Sequence, residues 1–300
     1  MAPTSDRPRG LPLALVAYGV WGFLPLYIAL LRHVPAFELV AWRVIFTLPF
    51  CLVIAAVRRQ LGEIARAFVD WRLLRLLLAS AMLIAVNWVI YVAAVNTGNI
   101  YAASLGYYVN PLVNVLLGTL FLGERLNRAQ WLAVGIAACG VAILLGGATD
   151  TLWISLALAL TFGLYGFVRK LAPVGSLPGL TIETALLAPI AAGTVWFFAS
   201  GEQVSSFGHD IPTSLLLIGA GTVTAIPLLC FALAARRMDY STLGFVQFLA
   251  PTIAFILGLT VFEEPLRPIQ LASFVLIWTA IALFSWDLLK RHAASAKPPA

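Results

Sequence analysis

A few polar side chains and two prolines stand out in stretches otherwise built from Leu, Val, Ile, Ala and Phe. Tyr107, Asn110 and Asn114 lie at helical spacing around Pro111. Asn110 and Asn114, four apart, share one face, and Tyr107 precedes Asn110 by three. Pro111 deprives the carbonyl about four residues earlier of its usual donor. Gln247 and Pro251 repeat the amide-and-proline arrangement later in the chain. Such groups can hydrogen-bond a solute, or each other across helices as packing glue with a kink. A second set, Asn87 and Trp88 with Tyr18, Trp21 and Tyr165, offers aromatic walls and one polar fixer. These rings either line a cavity or pack into the core.

The ionic candidates are Glu38, Arg43 and Glu183. Glu38 and Arg43 are five residues apart, about 140° around a helix, so they need not pair directly. Arg43 is placed to neutralise Glu38, to bind an anionic group, or to extend to the surface. Glu183 falls near the start of an apolar run, close in sequence to Arg169 and Lys170. Gating ion pair and solvated end-of-span charge are both open for it. Glu124 and Glu264, at the ends of runs, read as caps of the following loops. No acidic residue is expected at a span centre, which weakens a proton-coupled mechanism. His33, His209 and His292 sit in loops or the tail, and no zincin or phosphate-loop motif accompanies them. Neither a metal nor a cofactor is expected, and an enzyme is disfavoured. Cys51, Cys139 and Cys230 lack paired spacing and read as small buried hydrophobes.

The elements that must hold these groups follow from composition. The 300 residues are 61% hydrophobic and 11% charged, with a mean hydropathy of +0.95. Soluble domains carry roughly 25% charged residues. Most of this surface must therefore face lipid. A membrane helix needs about 20 apolar residues, and ten runs qualify: 11–31, 36–57, 73–95, 100–122, 128–147, 152–169, 179–199, 213–235, 239–262 and 268–287. With residues 1–10 and 288–300 as cytoplasmic tails, every Lys and Arg except Arg32, Arg43 and Arg267 falls on the cytoplasmic side. The net charge of +6 is thus topogenic rather than a nucleic-acid footprint. The basic N-terminal segment runs into an apolar stretch long enough to span, so no cleavable signal is expected.

The chain also repeats itself. A shift of 140 residues sets Ala94 on Ala234, Pro111 on Pro251, Gly118 on Gly258, Glu124 on Glu264 and Gln130 on Gln270. A slightly larger shift sets Tyr18-Gly-Val-Trp-Gly-Phe23 on Phe162-Gly-Leu-Tyr-Gly-Phe167, and Glu38 on Glu183. Residues 11–147 and 152–287 are then two five-helix repeats. Five is odd, so the second half enters the membrane inverted, an arrangement suited to alternating access. The expected fold is an all-α membrane protein of ten transmembrane helices.

The stretch Ala103–Asn114, with Leu122-Gly-Glu-Arg-Leu126 and Gln130-Trp131, resembles the EamA repeat of the drug/metabolite transporter superfamily. Asn87-Trp88, Trp21-Gly22, Tyr165-Gly166, Val168-Arg-Lys170, Ile182-Glu-Thr184, Ile226–Phe231 and Ser241–Phe245 resemble its RarD, chloramphenicol-sensitive branch. One departure is Trp42 before Arg43, where that branch often carries His. The resemblance implies solute export through ten helices in inverted repeats. The expected function is an inner-membrane permease exporting small amphipathic metabolites or drugs. A channel, or a receptor or scaffold that transports nothing, is the alternative. Its partners are a small solute and membrane lipid, with no nucleic acid; the sequence is compatible with a homodimer without requiring one.

Overall fold

A computed structural model describes residues 7–97, 99–146, 152–200, 205–263 and 268–295. Glu264, Arg267 and the first six and last five residues lie outside the described residues. Every described element is a helix: α1 (Arg7–Leu30), α2 (Ala36–Val57), α3 (Leu61–Val69), α4 (Trp71–Asn96), α5 (Ile100–Phe121), α6 (Arg128–Leu145), α7 (Leu152–Leu171), α8 (Ser176–Ser200), α9 (Ile211–Arg237), α10 (Tyr240–Gln247), α11 (Leu249–Thr260) and α12 (Pro268–Ser295). Among the described residues, nine spans are long and apolar enough to cross a membrane, with α10 and α11 counted as one. α5, which carries Tyr107, Tyr108, Asn110, Pro111 and Asn114, is a 22-residue helix but is not among the nine.

Local chemistry explains several boundaries. α6 begins in a capping box, in which Asn127 accepts from the Gln130 amide and the Gln130 side chain accepts from the Asn127 amide. The Asn127 amide group also donates to both Asp287 oxygens, tying α6 to α12. The split between α10 and α11 falls at Phe248, three residues before Pro251. Pro251 has no N–H for the Gln247 carbonyl, and its ring crowds that carbonyl. Pro111 imposes the same loss on Tyr107, yet α5 stays continuous.

Two expectations need correction. The seventh span starts at Ser176 rather than 179, which carries Glu183 seven residues into α8. Cys51 is buried and Cys230 half-buried, but Cys139 is exposed, on the outside of α6. α3 is a further short helix between the second and third spans, with Ile64 and Ala67 buried.

Packing runs between the first and second parts of the chain. α1 packs on α9, α10 and α11; α4 packs on α7 and α8; α2 lies against α8 and α9; α5 lies against α7 and α10; and α6 pairs with α12. Val57, Leu120, Phe121, Trp196 and Phe197 point outward, as lipid-facing side chains do.

Candidate functional site

The polar residues of α5 meet the break between α10 and α11. The Asn114 side-chain amide donates to Gln247 Oε1 at 2.8 Å, and the Tyr18 hydroxyl from α1 reaches the same oxygen at 3.4 Å. All three side chains and Asn110 are buried. Asn110 Oδ1 and Asn114 Oδ1 have no partner, and Asn110 makes no side-chain hydrogen bond at all among the described residues. α7 approaches this junction through Gly163. A Cβ there would stand 2.7 Å from Val113 and 3.4 Å from Oδ1 of both asparagines. Glycine is therefore required for the close contact. The Tyr240 hydroxyl donates to the Gly163 carbonyl at 2.6 Å, fixing α10 to α7.

Asn87 joins α4 to α7, donating to the Leu158 carbonyl and the Thr161 hydroxyl, both at 2.9 Å. Trp21 and Tyr165 belong to one aromatic cluster with Tyr18, Phe162 and Phe231, at ring-centroid separations of 5.4–6.2 Å. Tyr107 stands apart from it. The residue is 47% exposed, and its ring meets Tyr91 edge-on at 6.3 Å.

Glu38 and Arg43 do not pair. Glu38 accepts from the Ser205 and Ser206 hydroxyls at 2.7 and 2.8 Å, the Ser206 amide at 2.9 Å and the Trp42 indole at 3.2 Å. It thus anchors the segment ahead of α9 to the start of α2. Arg43 instead donates from Nε to Thr224 at 2.9 Å and stands over the Trp88 ring at 5.4 Å. Glu183 is buried beside Arg169, with Nη1 at 3.5 Å from Oε1, and accepts from the Ser80 hydroxyl. Arg169 Nη2 also donates to the Ser176 carbonyl at 3.0 Å. Between the Arg43 level and this ion pair lies a cavity of about 20 Å³, lined by Thr47, Trp88, Tyr165, Glu183, Thr224 and Leu228 among others. That is enough for about one water.

The comparisons with known proteins bear on this arrangement. The EamA-like transporter family model matches residues 8–146. An uncharacterized transporter of Pseudomonas aeruginosa is 45% identical over 291 residues, covering 95% of each chain. Protein RarD of Escherichia coli is 41% identical over 291 residues, covering 96% of this chain and 98% of that one. The chain belongs to the EamA-like transporter family, with the RarD proteins. A crystal structure sharing 19% identity superposes with a TM-score of 0.71 over 96% of this chain and 99% of the other, so the two share a fold.

In this EamA-like transporter several tethers went unseen in the sequence. Glu124 accepts from the Tyr240 and Ser241 amides at 2.5 and 2.8 Å, capping α10 across the bundle rather than its own following loop. Lys170 donates to the Ala235 and Met238 carbonyls, both at 2.7 Å, closing the end of α9. Lys and Arg at a helix C-terminus complement its dipole, but the sequence does not say which helix a side chain will reach.

Proposed function

We propose that this multi-pass membrane transporter exports small amphipathic metabolites or drugs by alternating access. In this reading ten helices form two inverted five-helix repeats in the bacterial inner membrane, with both termini cytoplasmic. The packing supports it through an exchange of partners. If α1, α2, α4, α5 and α6 correspond to α7, α8, α9, α10–α11 and α12, the main contacts between the two parts of the chain have counterparts. α1 on α9 answers α7 on α4, α2 on α9 answers α8 on α4, and α5 on α7 answers α10–α11 on α1. The pairs α2 with α8, α5 with α10 and α6 with α12 map onto themselves. Two such halves can exchange conformations and so move access from one face to the other.

The observation that carries the reading is Asn110. A buried polar side chain without a partner loses about 1–3 kcal/mol, and native proteins rarely keep one without a use. Here it lies where α5, α7 and α10 converge, beside an Asn114–Gln247 bond that joins the proposed halves. A solute group that bonds Asn110, or a rearrangement that pairs it, lets binding and conformational change share one set of atoms. The test compares metabolites inside and outside cells with and without the protein. A solute retained when the protein is absent, and released when it is restored, supports export. Ionic current across a bilayer, with no solute difference, replaces the carrier by a channel.

A further inference from the structure

Arg43 is a cation inside an apolar helix, and no carboxylate among the described residues forms an ion pair with it. At 1.5 Å per residue it lies about 10 Å from the start of α2. A guanidinium presents five N–H donors in a planar fork. Nε is used by Thr224, and neither Nη group has a hydrogen-bond partner among the described residues. No carboxylate pairs with it there. Glu38 is occupied by Ser205, Ser206 and Trp42, and Glu183 is held by Arg169 and Ser80. The phenols of Tyr27, Tyr91 and Tyr107 lie close enough to influence Arg43 electrostatically. Ionisable residues within membrane helices face the bundle interior or a watery cavity and mark solute pathways. The Trp88 ring at 5.4 Å gives the guanidinium a flat apolar wall, and the half-exposed Tyr107, packed edge-on against Tyr91, lies within its electrostatic reach.

We infer that Arg43 is the recognition group for a small organic monocarboxylate with a flat apolar body, seated against Trp88. This rests on the transport reading above and names its substrate class. A carboxylate matches the unused donor fork, which binds two oxygens side by side. One arginine neutralises one negative charge, so a dianionic phosphate leaves charge uncompensated in a poorly polar site. A free ammonium on the solute finds no available carboxylate near Arg43, so an amino acid fits worse than the corresponding simple acid. Departure of the anion returns the guanidinium to Thr224 and the aromatic rings alone.

Three probes on the full chain in lipid nanodiscs separate these terms: 3-phenylpropionate, its neutral amide, and phenylalanine, which adds the ammonium. Binding is read by quenching of tryptophan fluorescence and by the shift in Tm. The acid is expected to bind at least about tenfold more tightly than either analogue, the factor that one charged hydrogen bond supplies. Arg43→Gln should remove that preference, and Arg43→Lys should keep the charge but recover only part of the affinity. If Arg43→Gln does not fold, the three-probe ranking on the native chain still decides. Equal binding of acid and amide, tighter binding of phenylalanine, or no binding of the acid to folded protein overturns the assignment. Export of a neutral solute by the same cells in that event leaves the transport reading standing and removes only the substrate class.

Discussion

Two arginines sit inside the helical bundle, and they are held in opposite ways. Arg169 on α7 is buried to 1% exposure, faces Glu183, and has one Nη group bound to a backbone carbonyl. Arg43 on α2 is half-buried, meets a hydroxyl and an indole face, and leaves both Nη groups unbound among the described residues. A buried ion pair is weak evidence for net stability, because desolvation offsets the attraction, but losing one partner strands the other charge. Arg169 is therefore a lock between α7 and α8. Arg43 holds little together, which leaves it available to a ligand.

Breaking the lock should produce the largest effect. Glu183→Gln leaves Arg169 buried without its carboxylate, at a loss of about 3–5 kcal/mol. The expected readout is a collapse of the monodisperse peak in size-exclusion chromatography and a steep fall in Tm. Replacing both, Arg169→Met with Glu183→Leu, should recover most of the folded protein. A single mutant as stable as wild type would mean that the pair is not a lock. Next comes Arg43→Gln, which removes a hydrogen bond and a cation–π contact worth about 0.5–2 kcal/mol. Folded yield should stay close to wild type while export of the native solute falls sharply in a cell efflux assay. Equal losses of yield and export would make Arg43 structural after all.

The amides at the α5–α10 junction sharpen the contrast further. Interhelical hydrogen bonds in membranes average about 0.6 kcal/mol, so Gln247→Leu should lower Tm only slightly. Asn110→Leu should leave Tm unchanged or raise it, since it removes an unpaired buried group. Both should impair export, measured against membrane abundance. The smallest effect belongs to a carboxylate outside the spans. Asp210 accepts from the Thr213 amide at 2.8 Å at the start of α9, and that bond holds its carboxyl below the usual aspartate range. A depressed folded value means the cap stabilises above the unfolded pKa of about 3.9 and is lost as pH falls through the folded value. Asp210→Asn should keep the cap and flatten that acid dependence of Tm.

The sequence made some of this contrast legible and hid the rest. Period and charge located the apolar runs, and the angle between Glu38 and Arg43 already argued that they need not pair. The partners of Arg43 were out of reach, because Thr224 is 181 residues away and only packing brings it near. The sequence leaves Glu183 open between an ion pair and a solvated end-of-span charge for a local reason. Ser176-Leu-Pro-Gly179 resembles a loop, but proline is tolerated in the first turn of a helix, and α8 starts there. Moving the start by three residues turns an end-of-span charge into a buried one. α3 had a readable signal in Leu61, Ile64 and Phe68, one apolar face at helical spacing, obscured by the charges around it. The unpartnered state of Asn110 Oδ1 had no signal, since pairing of a buried amide depends on atoms from several helices.

Alternating access is the central claim, and Asn110 gives the most direct way to test it. A single Cys at Asn110, in a background with Cys51, Cys139 and Cys230 replaced, is treated with a small membrane-impermeant thiol reagent from each face in turn. Labelling is followed in oriented vesicles with and without substrate. The account predicts reaction from only one face in any one state, with substrate shifting the balance between faces, because a ligand moves an equilibrium through its different affinity for the two states. Simultaneous labelling from both faces, accompanied by ionic conductance, would contradict it.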